Sequence, residues 1–171
     1  ALPRTRRSCG ALRAQAPTPA DRGAGLKTVR VATDPPYDVR IGRGLLADVA
    51  AETVRYSRRA VLTDDIVAPL HLARLGLVAV PSMAVRAGEV SKSFPVLERV
   101  LEFMAASDLD RGSCLIAFGG GVVGDLGGLA ASLYMRGIPV VQIPTTPLAS
   151  WRSTRCSRSC SSRSTRGCSS P

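Results

Sequence analysis

LIAFGGGVVGD, residues 115–125, sets an unbroken apolar run directly against a cluster of glycines. Leu115 to Phe118 show no polar alternation, the pattern of a strand buried on both faces. Gly119-Gly120-Gly121 and Gly124 then satisfy G-x-G-x-x-G between that strand and a following helix. Glycines let the backbone turn tightly and approach a pyrophosphate, whose charge faces the N–H groups of the helix N-terminus. A tight strand–helix turn that holds no ligand meets the same spacing. The usual dinucleotide fingerprint also carries an acid about twenty residues on, against the adenosine ribose. Here that region, 140–146, is VVQIPTT and has no acid.

The flanking sequence alternates strands and helices. Residues 113–118 read as the strand and 126–135 as a helix with Gly127, Gly128, Ala130 and Ala131 on its packing side. Upstream, 28–41 predicts two short strands around Pro35-Pro36, with Val29 and Val31 on one and Val39 and Ile41 on the other. Leu45, Leu46, Val49 and Thr53 stand at helical spacing within 44–57. Residues 59–63 predict a strand, after which Asp64 and Asp65 cap a helix. Residues 77–85 predict another strand, bent by Pro81. Ser93 is placed to cap a helix with Pro95 in its first turn. Leu97, Val100, Leu101 and Met104 give that helix an apolar stripe, and it is expected to end near Asp110-Arg111-Gly112. Residues 138–143 form a last strand. The expected class is α/β: a Rossmann-like, mostly parallel sheet with flanking helices.

The chain has 171 residues and a net charge of +10. Residues 1–30 hold seven Lys or Arg against one acid, and 151–171 hold five Arg and none. Residues 31–150 are near neutral, with eleven basic and twelve acidic residues. The basicity therefore belongs to the ends, which argues against a nucleic-acid face on the folded part. No apolar run is long enough for a membrane span. The domain reading is 1–27 disordered, 28–150 an α/β domain, and 151–171 a disordered Ser/Arg-rich tail. Residues 1–27 resemble a transit peptide, which would direct the protein to the chloroplast stroma; read as a plain disordered end, they leave it cytoplasmic. Cys114 is read as a buried thiol. Cys9 stands alone, and Cys156, Cys160 and Cys168 match no zinc spacing.

Several polar groups fall at strand ends. Asp125 follows the glycine turn, as a helix cap or as an acceptor for a ribose hydroxyl. Glu89 and Lys92 follow Gly88, as an exposed ion pair or as two groups converging on the glycine turn. Asp64, Thr145 and Thr146 also lie at carboxyl ends of strands, so four strand ends supply polar groups to one edge. Arg136 precedes Gly137 in a turn, where a solvated arginine is the ordinary reading. His71, with no ligand partner at metal spacing, is read as a packed or surface helix residue.

AGEVSKS (87–93), the segment DLDRGSCLIAFGGGVVGDLGGLAASLYMRGIPVVQIPTT (108–146) and YDVRIGRGLL (37–46) closely resemble 3-dehydroquinate synthase, of the sugar-phosphate cyclase superfamily. The resemblance covers about residues 28–150. It implies an N-terminal Rossmann-like domain that binds NAD and a helical C-terminal domain that binds a divalent metal, zinc or cobalt. It implies NAD contacts from Asp64, Glu89, Lys92, Gly120, Gly121, Val122, Val123, Gly124, Asp125, Thr145 and Thr146. It implies that Arg136 reaches the substrate phosphate across a homodimer interface. The implied reaction is that of an NAD- and metal-dependent carbon–oxygen lyase of the shikimate pathway, serving aromatic amino-acid biosynthesis. It converts 3-deoxy-D-arabino-heptulosonate 7-phosphate, a small sugar phosphate, to 3-dehydroquinate and phosphate. No nucleic-acid or membrane partner is implied.

The match departs after Thr146. The family continues with a Leu-Leu pair and a segment like Q-V-D-S-S-V-G-G-K-T, whereas Pro147-Leu148-Ala149-Ser150 and the Ser/Arg tail stand here. The expectation is that the tail is out of frame and the helical metal-binding domain absent, with no metal ligand or catalytic residue retained and no activity from the chain alone. The alternatives are another sugar-phosphate cyclase, a metal-dependent polyol dehydrogenase, a non-catalytic NAD-binding module, or an RNA-binding protein using the basic tail.

Overall fold

The computed structural model describes residues 27–32, 36–77 and 79–146. The expectations for the N-terminal segment before Lys27, for Pro147 to Ser150, for the Ser/Arg tail, and for Cys9, Cys156, Cys160 and Cys168 lie outside the described residues.

The strand predicted before the glycines is β5, Cys114–Gly119, and all six of its residues are buried. It lies inside a four-stranded parallel sheet with β3 (Arg59–Asp64), β4 (Ser82–Val85) and β6 (Val140–Pro144), in the order β4-β3-β5-β6. Register pairs Val61 with Ile116 and Ile116 with Val141. The period of two then sorts the apolar residues onto two faces. Ala60, Leu62, Leu115 and Ala117 join a cluster with Val100 and Met104 of α3 (Phe94–Ala106) and Val123, Leu126 and Ala130 of α4 (Gly121–Leu133). Val61, Ile116 and Phe118 face the other way, onto Leu75 and the partly buried Leu46, Val49, Val67 and Leu72. The latter belong to α1 (Val49–Thr53), α2 (Val67–His71) and short 3₁₀ turns. Cover on both faces is why β5 reads as continuously apolar.

Strand order reverses after β3. The chain crosses from β3 to β4, then returns past β3 to β5 and runs on to β6. The crevice between the carboxyl ends of β3 and β5 is therefore the switch point, the usual ligand position in an open α/β sheet.

Several predicted boundaries are corrected. The strand expected over 77–85 is only Ser82–Val85, because Pro81 has no N–H for the ladder. Its carbonyl nevertheless starts the pairing, accepting Val61 N–H at 2.9 Å. The 44–57 helix is a 3₁₀ turn, Leu45–Asp48, followed by the short α1. Helix α3 ends at Ala106, well before Asp110, where Asp108 adopts φ 50 and breaks the helical path. Ser93 sits at the N-cap position with extended backbone but makes no side-chain cap bond. Helix α4 begins at Gly121, before the predicted start at Leu126, because the glycine turn is its first turn.

The small residues of α4 lie on the sheet as expected, and Gly127, Gly128, Ala130 and Ala131 are all buried. A Cβ on Gly127 would stand 2.9 Å from the Ala117 Cβ and 3.4 Å from Leu62 Cδ2. Strands β1 (Lys27–Val31) and β2 (Tyr37–Ile41) form a separate antiparallel pair, with Val29 opposite Val39. An Arg40–Glu52 ion pair ties this hairpin to α1. At the amino edge of the main sheet, Asp110 Oδ1 accepts Ser57 Oγ–H (2.5 Å), Ser113 Oγ–H (2.8 Å) and Gly112 N–H (2.8 Å). That network joins the segments entering β3 and β5.

Candidate functional site

All four strands of the main sheet run the same way, so their carboxyl ends share one edge. Asp64 ends β3, Glu89 and Lys92 follow β4, the glycine turn follows β5, and Thr145-Thr146 follow β6. The structure therefore brings together Asp64, Glu89, Lys92, Gly120 to Asp125, Thr145 and Thr146.

The glycine turn is shaped by its neighbours. A Cβ on Gly119 would fall 2.7 Å from Val123 Cγ2 and 2.8 Å from Asp64 Oδ2, so no side chain fits there. Gly120, Gly121 and Gly124 differ, because they border open space. A Cβ on Gly121 meets nothing within 4 Å, one on Gly120 only Thr146 Cγ2 at 3.8 Å, and one on Gly124 only Gln142 Oε1 at 3.5 Å. These glycines, with Asp125 and Gln142, line a groove of about 200 Å³ between α4 and β6. No side chain caps α4. Its first amides, Gly121, Val122 and Val123, have no intrahelical acceptor, and the positive end of the helix dipole lies there. The first intrahelical bond is Gly124 N–H to Gly120 C=O at 3.1 Å. The Val123 side chain is in the core, so only its backbone is available to a ligand.

Asp64 is 6% exposed. Its Oδ1 accepts the N–H groups of Ile66 (3.1 Å) and Val67 (2.7 Å), capping the start of α2 as predicted. Its other oxygen turns toward Gly119. Asp65 does not cap that helix and instead accepts Ala87 N–H at 2.8 Å, tying the end of β3 to that of β4. Glu89 lies in a 3₁₀ turn, Glu89–Ser91, where a plain loop was expected. The two readings of Glu89 and Lys92 are both realised. Lys92 Nζ pairs with Glu89 Oε2 at 2.9 Å and also with Asp125 Oδ2 at 3.0 Å, across the end of β3. The hydrogen bond to Glu89, and then that to Asp125, raises the Lys92 pKa above the ordinary lysine value. Thr145 N–H donates to Gly119 C=O at 2.9 Å, holding the β6 end beside the glycine turn.

Arg136 is not part of this edge. It lies in the 3₁₀ turn after α4, exposed at the opposite end of a 13-residue helix. At 1.5 Å per residue that is about 20 Å from the glycine turn. Met135 and Arg136 both take left-handed backbone, φ 49 and 69. The reading of the sequence missed Gln142, whose only signal was one polar residue in an otherwise apolar strand. His71 ends α2 with its Nδ1 buried and unpartnered. Cys114 is buried, and desolvation pushes its thiol pKa up to about 12. Among the described residues no group of three or more His, Cys, Asp or Glu stands where it would hold a metal ion, and no helix is long and apolar enough to cross a membrane.

Comparison with known proteins agrees with this architecture. The family model described as 3-dehydroquinate synthase N-terminal matches residues 82–158. The 3-dehydroquinate synthase of Paracoccus denitrificans is 47% identical over 123 residues, covering 66% of this chain and 33% of that protein. The chain thus spans about a third of the length of that curated relative. Among solved structures, a 2-deoxy-scyllo-inosose synthase complexed with carbaglucose-6-phosphate, NAD+ and Co2+ superposes with a TM-score of 0.59 at 22% identity, over 70% of this chain and 35% of that one. At that identity the likeness establishes the fold. The 2-epi-5-epi-valiolone synthase of Streptomyces hygroscopicus, with NAD+ and Zn2+ bound, superposes with a TM-score of 0.52 at 36% identity, over 60% of this chain and 30% of that one. In sequence and in fold, what this chain resembles is the N-terminal part of 3-dehydroquinate synthase.

Proposed function

We propose that the chain forms the NAD-binding part of a 3-dehydroquinate synthase. The observation that carries this reading is the row of unfilled glycines, Gly120, Gly121 and Gly124, at the uncapped N-terminus of α4. Space for close approach, amide donors and a favourable dipole meet there, which is what a pyrophosphate requires. The acid missing downstream is supplied from upstream and beside the turn. Glu89 and Asp125 offer carboxylate oxygens to ribose hydroxyls, and Asp64 backs the turn at Gly119. Thr145 and Thr146 close the β6 side. When bound, NAD supplies reversible hydride transfer.

The full reaction we propose for the family-length protein is phosphate elimination and ring closure on 3-deoxy-D-arabino-heptulosonate 7-phosphate. Within it, this chain's residues bind and orient the cofactor. Arg136, on the opposite edge from its own glycine turn, serves a second copy's substrate phosphate. Among the described residues there is no donor set for zinc or cobalt, so no step is derived through a metal here.

Titrating NAD into the 171-residue chain and into Gly121→Ala tests the cofactor reading. The new methyl enters space that is empty of protein, so the melting temperature should hold. NAD affinity should fall about tenfold or more, the equivalent of one or two lost charge-assisted hydrogen bonds. Equal affinity in the two proteins would sink the reading.

A further inference from the structure

A lysine beside a glycine-rich turn invites the expectation that it contacts phosphate. The geometry of Lys92 points elsewhere. Its ammonium has three N–H donors. Glu89 Oε1 stands at 3.0 Å, Glu89 Oε2 at 2.9 Å and Asp125 Oδ2 at 3.0 Å, so carboxylate oxygens occupy all three directions. Glu89 belongs to the turn after β4 and Asp125 to the first turn of α4, after β5. Strand β3 lies between those two, so the strand ends are about 10 Å apart. A long side chain spans that gap, and the two carboxylates without it are like charges facing one crevice. The lysine side chain is only 26% exposed, against 78% for Glu89.

We propose that Lys92 is a positioning residue: it clasps the Glu89–Ser91 turn to the N-terminus of α4 across the end of β3. Resting on the cofactor reading above, the clasp fixes the Glu89 and Asp125 carboxylates where ribose hydroxyls meet them. Lys92 acts through these two acids and not on phosphate.

Amide hydrogen exchange and NAD titration on the 171-residue chain test this together, with Lys92→Met and Lys92→Arg as variants. Loss of a partly shielded pair of ion pairs should speed exchange in residues 88–92 and 121–124 about fivefold in Lys92→Met, and weaken NAD by a similar factor. Lys92→Arg, which keeps the charge and can reach both acids, should restore both to within about twofold. Unchanged exchange in Lys92→Met overturns the clasp, and does so most plainly if NAD affinity falls, since that pattern marks a direct ligand. Faster exchange with NAD affinity unchanged overturns the positioning role. If the unmodified chain takes up no NAD, the cofactor reading has failed, and the exchange result alone then decides the clasp.

Discussion

Gly127→Ala tests how closely α4 lies on the sheet. In a solvent-facing helix this change is favourable by about 1 kcal/mol, because alanine is the better helix former. Here the added methyl would stand 2.9 Å from the Ala117 Cβ, closer than such atoms pack. Ala117 is 2% exposed and sits on β5, which is held on both sides by β3 and β6, so it has no room to retreat. Leu62 Cδ2 at 3.4 Å closes a second direction. Overpacking against an anchored neighbour costs about 2–3 kcal/mol, which outweighs the helix-propensity gain and leaves a net loss of about 1–2 kcal/mol. For a domain of this size that lowers the melting temperature by roughly 4–8 °C. Calorimetry or circular-dichroism melts measure it, and urea titration with an unchanged m-value shows that the folded state is what changed. Removing the opposing methyl should recover part of the loss, so Gly127→Ala with Ala117→Gly should show a coupling of about 1 kcal/mol. A Gly127→Ala protein that melts at or above the parent temperature would refute the packing argument, because propensity alone would then govern the site.

Two further outcomes follow from the titrating groups. Hydrogen bonds from Ser57, then Ser113, hold the Asp110 carboxyl below its ordinary pKa. A depressed folded-state pKa stabilises above the unfolded value, near 3.9, and that stabilisation is lost as pH falls through the folded value. The stability advantage of the parent over Asp110→Asn should therefore be constant at neutral pH and disappear below about pH 4; denaturant titrations at pH 7, 5 and 3 check it, and a constant difference would refute it. Cys114, with its pKa pushed up to about 12 by burial, should stay protonated and unreactive at pH 8. Peptide mapping after iodoacetamide should find Cys114 alkylated only in denatured protein, and rapid labelling of the native chain would contradict its burial.

Much of the fold was legible because burial leaves a periodic trace. Leu115 to Phe118 announced a strand covered on both faces, and Gly127, Gly128, Ala130 and Ala131 announced a helix pressed on a sheet. Parallel strands then forced Asp64, Glu89, Asp125 and Thr145 to one edge, so the site could be assembled from strand ends alone. Boundaries were less legible, because local signals there compete. Four glycines argue against helix by propensity, yet α4 runs through three of them, because packing outweighs the local cost. Pro81 looked like a bend in a strand and proved to be its starting point.

Residue types and spacings thus determined the strand, the phosphate-type turn and the absence of a downstream ribose acid, since each is written in adjacent residues. Contacts between distant parts of the chain depended on the tertiary structure. Only there does Lys92 meet Asp125, and only there do Asp64 and Val123 leave Gly119 no room for a side chain. The placement of Arg136 at the far end of α4 follows the same logic: its distance from the glycine turn depends on a straight helix whose start the local sequence did not reveal.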